Sequence, residues 1–216
     1  MTLNRRTLLA HGGALAAIGA LGLRPAFAAG GDTHNVAELM APGIESYKDW
    51  PIGNPEAKVT VIEYMSSTCP HCARFANDVF PAFREQYVDT DKVQFIARPF
   101  NRNALDFAVF MLAATATDAD GYLKVVDTYF KTQDDWAFSE KPKDAIFAVA
   151  QTLGFTQESF ESALTNQALY TGMEELRQQA LDKFDLTGTP TFYINGKQIS
   201  GEKTLEEMAA EIDPLL

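Results

Sequence analysis

The sequence predicts an α/β fold in which a βαβ unit and a ββα unit are separated by a long helical block. Two short apolar runs rich in β-branched residues, 59–65 and 93–98, enclose a segment with helical periodicity. This order and these lengths are typical of a parallel βαβ unit. Near the C-terminus, the tight-turn pair Asn195-Gly196 joins two further strand-like runs and predicts a β-hairpin.

The elements of the first unit follow from local signals. Residues 59–65 are too few for a stable helix and form a run expected of a buried strand. Pro70 suits the first turn of a helix, where its missing N–H costs nothing, and apolar residues continue that helix as far as Phe83. Pro99 ends the second strand.

Four apolar stripes with spacings of three and four residues predict helices in the middle of the chain. We interpret these stripes as packed core rather than binding surface. Their positions are Leu105, Ala108, Val109 and Leu112; Tyr122, Val125, Val126, Tyr129 and Phe130; Ile146, Val149, Ala150 and Leu153; and Leu169, Met173, Leu176, Ala180 and Phe184. After the hairpin, Thr204 and Glu207 have the spacing of a capping box and predict a last helix.

The N-terminus has the pattern of an export signal. Arg5 and Arg6 precede the apolar stretch 10–23, and Ala28 ends a small-x-small cleavage motif. The arginine pair resembles a twin-arginine signal, although ordinary secretion also fits. A membrane anchor is the alternative, but the apolar stretch is short and interrupted by glycines. We therefore expect a periplasmic protein, cleaved near Ala28.

Charge excludes some classes of partner. The whole chain has 18 basic and 29 acidic residues, and removal of the signal with its three arginines leaves a net charge of −14. A surface this acidic argues against nucleic acid or an anionic membrane as a partner. The remaining 188 residues suit one domain, or one domain with a large insertion.

The only two cysteines, Cys69 and Cys72, lie two residues apart at the predicted strand-to-helix junction. Two thiols at this spacing favour a redox dithiol. A structural zinc site needs about four ligands, and His71 between the cysteines cannot easily join them around one ion. Haem attachment is excluded because Ala73 rather than histidine follows Cys72. An inert disulfide across so small a ring would restrict the unfolded chain very little.

The segments Tyr64-Met65-Ser66-Ser67-Thr68-Cys69-Pro70-His71-Cys72-Ala73 and Gly188-Thr189-Pro190-Thr191-Phe192-Tyr193-Ile194-Asn195-Gly196 resemble the DsbA-like thiol:disulfide oxidoreductases. The resemblance covers roughly residues 54–216. It implies a thioredoxin fold, βαβ then ββα, with a helical subdomain inserted at about 101–186. Residues 1–28 would then be the signal peptide and 29–53 an N-terminal extension. Some members carry a second, structural cysteine pair that this chain lacks.

The positions of the two cysteines predict different roles for them. Cys69, at the predicted helix N-terminus beside Pro70, would be stabilised as a thiolate by the unpaired N–H groups there. His71 could add a donor or a positive charge near that sulfur, or it could simply be solvated. A stabilised thiolate makes the disulfide form a strong oxidant. Cys72, one turn into the helix, would be less exposed and act as the resolving thiol.

Three further residues complete the predicted site. Glu63 is a carboxylate within an apolar strand, and it could face water at a sheet edge. The resemblance instead implies a partly buried acid beneath the dithiol that exchanges a proton with Cys72. Thr189-Pro190 precedes a predicted strand, and we expect a cis bond there, with a trans turn as the alternative. A cis bond would turn the Thr189 backbone outward to bind an extended substrate, strand to strand.

Together these features predict a periplasmic protein disulfide oxidase that forms a mixed disulfide at Cys69. An isomerase or reductase is the nearest alternative, but isomerases of this kind usually dimerise through an added N-terminal domain, and residues 29–55 are too few to form one. A copper-holding chaperone is less favoured, because methionines are few. The resemblance implies reduced or unfolded exported proteins as substrates and a DsbB-like membrane quinone reductase as reoxidant. We expect a monomer without metal or other cofactor.

Overall fold

The protein is described here by a computed structural model that covers residues 33–216. The predicted signal peptide, residues 1–28, and the first residues of the predicted extension lie outside the described part of the chain. None of the helices between residues 33 and 216 combines the length and apolarity needed to cross a bilayer.

Five strands form one mixed sheet in the order β1-β3-β2-β4-β5. They are β1 (Pro51–Ile52), β2 (Val59–Met65), β3 (Val93–Pro99), β4 (Thr191–Ile194) and β5 (Lys197–Ser200). β2 runs parallel to β3 and antiparallel to β4, and β5 closes a hairpin with β4. The predicted βαβ and ββα units are confirmed, and β2 lies at the centre of the sheet.

Helices form at each of the four apolar stripes and after the capping box, as predicted, whereas the first, sixth and eighth helices of the described chain were not predicted. Ten α-helices are described: α1 (Val36–Met40), α2 (Pro70–Arg74), α3 (Phe80–Phe83), α4 (Ala104–Ala113), α5 (Ala119–Lys131), α6 (Gln133–Trp136), α7 (Pro142–Thr152), α8 (Gln157–Leu164), α9 (Gln167–Lys183) and α10 (Leu205–Ile212). Helices α4 to α9 lie between the two strand units, as predicted for an insertion. Thr204 and Glu207 form the predicted capping box of α10.

The helix after Pro70 differs from the uniform α-helix that the sequence predicts. Residues 70–88 follow one helical path, but Phe75–Val79 and Arg84–Val88 are π-helical and only α2 and α3 are α-helical. Pro81 lies in the first turn of α3. Proline has no N–H to bond within a helix, and this loss favours a local change of helical pitch.

The two faces of β2 pack against different layers. Val59, Val61 and Met65 face the main core, which contains the insertion and the dithiol helix. Ile62 and Tyr64 face a smaller core on the other side. Because side chains alternate along a strand, Glu63 points to the same face as Val61 and Met65. It therefore lies on the dithiol side of a central strand, and the edge-strand alternative is wrong.

The segment before residue 54 contributes to the sheet. β1 pairs antiparallel with β3 and forms one edge. Asp49 pairs with the guanidinium of Arg98, a fully buried residue of β3 that also donates to the hydroxyl of Tyr64 at 2.9 Å. Trp50 stacks on Tyr122 of α5, with ring centroids 5.7 Å apart. These contacts attach the N-terminal segment to both the sheet and the insertion.

Candidate active site

The dithiol lies at the junction between the central strand and a helix. β2 ends at Met65, a three-residue loop follows, and Cys69 is the N-cap of α2 with extended backbone angles. Pro70 occupies the first helical turn, as predicted. Both sulfurs are reduced in this structure. Cys72 is fully buried and Cys69 is only 2% exposed, so little of either sulfur can be reached from solvent.

Cys69 is more acidic than an ordinary thiol. Its pKa is lowered to about 5, first by the hydrogen bond from the Cys72 thiol and further by the Thr189 side chain and the N–H groups of Cys72 and His71. Burial opposes this shift. The N–H groups are unpaired in the first turn of a helix and point at the N-cap, which explains their effect. At neutral pH the sulfur is therefore a thiolate.

Cys72 and Glu63 have the opposite tendency. Burial and the hydrogen bond to Cys69 raise the pKa of Cys72 well above its ordinary value. Glu63 is 4% exposed, and its Oε1 has no hydrogen-bond partner within residues 33–216. Burial, then the charge at Cys69 and that of Asp127, raise the pKa of Glu63 to about 8. Glu63 is thus a buried acid that keeps its proton near neutrality.

The peptide bond between Thr189 and Pro190 is cis, as predicted. The Thr189 carbonyl oxygen lies 3.2 Å from Cys69 Sγ and accepts from the thiol when it is protonated. The Thr189 hydroxyl is buried and has no hydrogen-bond partner among residues 33–216. β4 begins directly after Pro190, so the central sheet fixes this segment beside Cys69.

The His71 imidazole pairs with a carboxylate, whereas the sequence suggested that it acts on the Cys69 sulfur. Its Nδ1 lies 2.8 Å from Glu202 Oε2, and Arg74 also pairs with Glu202. The His71 side chain is 57% exposed. The backbone N–H of His71 does act on the Cys69 sulfur and lowers its pKa. Glu202 and Arg74 were missed by the sequence analysis, because an exposed ion pair between distant segments leaves no local pattern.

Two buried polar residues of the insertion, Asp106 and Gln133, were also missed. Asp106 is fully buried and accepts hydrogen bonds from the loop before Cys69, and Gln133 donates to the same loop. The available signal for Asp106 was its place as the one charged residue among the apolar residues of α4. No set of three or more His, Cys, Asp or Glu side chains in 33–216 is arranged to hold a metal ion.

Comparison with known families gives a consistent result. The family model described as Thioredoxin matches residues 45–214. A Rickettsia bellii protein named "Putative protein-disulfide oxidoreductase" is 29% identical over 175 residues, which cover 76% of this chain and 68% of the relative. A Rickettsia conorii relative with the same description is 28% identical, and the chain spans 60% of its length. Disulfide bond formation protein D of Bacillus subtilis is 25% identical, with 79% of each chain covered.

Solved structures share the fold. Wolbachia pipientis alpha-DsbA1 superimposes with a TM-score of 0.74 at 26% identity and covers 78% of this chain and 90% of its own. BdbD from Bacillus subtilis gives a TM-score of 0.69 at 19% identity, covering 86% of this chain and 98% of its own, a similarity of fold alone.

Proposed function

Since this chain belongs to the thioredoxin family, in its DsbA-like branch of disulfide oxidoreductases, we propose that it donates the Cys69–Cys72 disulfide to other proteins. The observation that carries the proposal is the opposed acidity of the two thiols at one helix N-terminus. The nucleophile Cys69 is ionised near neutral pH, whereas its buried neighbour Cys72 holds its proton. A dithiol of this kind is stabilised in its reduced form, so its disulfide is a strong oxidant.

The transfer takes place in two exchanges. A substrate thiolate attacks Cys69 Sγ, the Cys69–Cys72 bond breaks, and Cys72 leaves as a thiolate that accepts the proton of Glu63. A second substrate thiolate then attacks the substrate sulfur of the mixed disulfide, and Cys69 leaves as a thiolate. The substrate loses two electrons to the dithiol. Cys69 is a good leaving group because its pKa is low.

Substrate would bind as an extended segment along Thr189. The Thr189 carbonyl lies beside Cys69 Sγ. Apart from that thiol, it accepts a hydrogen bond from no group among residues 33–216. Backbone pairing of this kind recognises an extended chain with little regard to its sequence. It therefore suits reduced or unfolded proteins of many kinds, and Pro190 would pack beside the mixed disulfide.

We place this chemistry in the periplasm, where disulfides persist. Residues 1–28 would direct export, by the twin-arginine or the general route, and would be cleaved near Ala28. The remaining chain would comprise the extension 29–53 and a domain over 54–216 with its insertion at about 101–186. A DsbB-like membrane quinone reductase would reoxidise the monomeric protein.

A redox titration of the Cys69–Cys72 pair against glutathione tests the direction of transfer. We expect equilibrium well on the oxidising side of thioredoxin, whose potential is about −270 mV. A potential as reducing as that of thioredoxin would refute the oxidase role and favour a reductase. A second assay, refolding of a scrambled disulfide protein, would identify an isomerase by activity that starts from the reduced form.

A further inference from the structure

The loop that precedes the nucleophile is held by one buried carboxylate of the insertion. Asp106, on α4, has no exposed surface. Its Oδ1 accepts from the hydroxyls of Ser66 and Ser67, both at 2.9 Å, and from the Thr68 N–H at 2.8 Å. Its Oδ2 accepts from Ser66 Oγ and from the backbone N–H of Arg102, both at 2.8 Å. Three consecutive loop residues are therefore fixed by a single side chain.

A second residue of the insertion donates hydrogen bonds to backbone carbonyls in and next to the same loop. Gln133, buried at the start of α6, donates from Nε2 to the Ser67 carbonyl at 2.7 Å and to the Cys69 carbonyl at 3.1 Å. The Cys69 carbonyl also accepts from the Ala73 N–H in the first turn of α2. The insertion thus contacts the backbone of the nucleophile itself.

We infer that Asp106 is a positioning residue for the Cys69 thiolate, and that through it the helical insertion sets the oxidising strength of the dithiol. This inference rests on the proposed function and deepens it. The groups that stabilise the sulfur are hydrogen-bond donors at fixed places around the N-cap, and hydrogen bonds weaken steeply with distance and misalignment. A loop released from Asp106 would move Cys69 Sγ away from those donors, and the thiolate would be less stable.

Asp106 has two opposite effects on the stability of the Cys69 thiolate: its hold on the loop stabilises the thiolate, and its negative charge destabilises it. Every group that it contacts donates to it, and Arg102 Nε lies 3.9 Å from Oδ2, the pattern expected of an ionised carboxylate. A negative charge near Cys69 disfavours the thiolate. Removing that charge alone would make the dithiol more oxidising, whereas losing the hold on the loop would make it less oxidising. The sign of the change therefore separates the two roles.

The test compares three variants of the purified protein: Asp106→Asn, Ser67→Ala and Asp118→Ala. Asparagine keeps the shape of Asp106 but replaces one acceptor oxygen with a donor. Ser67→Ala removes one of the hydrogen bonds to Asp106 without changing any charge. Asp118 is the control, because it also accepts a backbone N–H, that of Gly121 at 2.7 Å, but caps α5 rather than the loop before Cys69. For each variant we would measure the Cys69 thiolate by ultraviolet absorbance against pH, the equilibrium with glutathione and the stability to urea.

We expect Asp106→Asn to raise the pKa of Cys69 by about one unit, which is about a tenfold loss of thiolate stability. Ser67→Ala should shift it in the same direction by less, and Asp118→Ala should lower stability and leave the pKa unchanged. An Asp106→Asn protein that is equally or more oxidising would overturn the inference. If that variant does not fold, an unshifted Ser67→Ala protein would overturn it. A reducing wild type would refute the oxidase role but leave this comparison intact.

Discussion

Replacing Glu63 with glutamine tests whether a neutral acid lies beneath the dithiol. Burial raises the pKa of Glu63 from 4.5 to about 8 in the reduced protein. Between these values the folded chain keeps a proton that the unfolded chain releases, so the group lowers the free energy of unfolding as the pH rises. Each pH unit of this window costs about 1.4 kcal/mol. Glutamine removes that cost. Because the group ionises only in part near each end of the window, Glu63→Gln should gain about 3.5 kcal/mol over the wild type between about pH 5 and pH 8.

The assay is urea unfolding of the two reduced proteins across that pH range, with the difference between them as the readout. The difference matters because ionisation of Cys69, whose pKa is lowered, stabilises the fold as the pH rises and partly hides the Glu63 effect in the wild type. Glu85→Gln, at an exposed position, serves as the control and should give a flat difference. A flat difference for Glu63→Gln would refute a pKa near 8. The same variant should slow protonation of the leaving Cys72 thiolate.

Three further predictions concern the dithiol and the N-terminal segment. Cys72→Ser should trap a mixed disulfide with substrate on non-reducing gels and Cys69→Ser should trap none; the reverse pattern would exchange the two roles. His71→Ala keeps the backbone N–H and should shift the Cys69 pKa by less than about one unit, whereas a larger shift in the thiolate titration would assign that effect to the imidazole. Arg98→Met leaves Asp49 unpaired and should cost about 3–5 kcal/mol in urea unfolding; adding Asp49→Leu should restore much of this, and no recovery would contradict the pairing.

Most of the fold was predictable because its signals are local. The strand β2, the proline at the start of α2 and the Asn195-Gly196 turn each depend on residues within a few positions of one another. The turn bears this out, since Asn195 and Gly196 both have positive φ, 44° and 88°. The edge strand β1 was not predicted, because two residues have no periodicity and are held only by pairing with β3.

The π-helical segments show where a local signal was incomplete. Apolar spacing predicts that Phe75 and Phe83 face the core, and both are fully buried. It does not report the pitch between them, since a π-turn moves the stripe by a single residue. Pro81 marked the place, but whether a proline kinks, ends or widens a helix depends on what packs around it.

The sequence by itself determined the chemistry of this protein, because the two thiols, the helix N-terminus that acidifies one of them and the strand that buries the other are neighbours along the chain. Only the tertiary structure decided how that chemistry is supported. It placed Glu63 on the dithiol face of a central strand, turned the His71 ring toward Glu202, 131 residues away, and brought Asp106 to Thr68 across 38 residues. Such contacts depend on how distant segments pack, and packing leaves no pattern in the residues on either side of each partner.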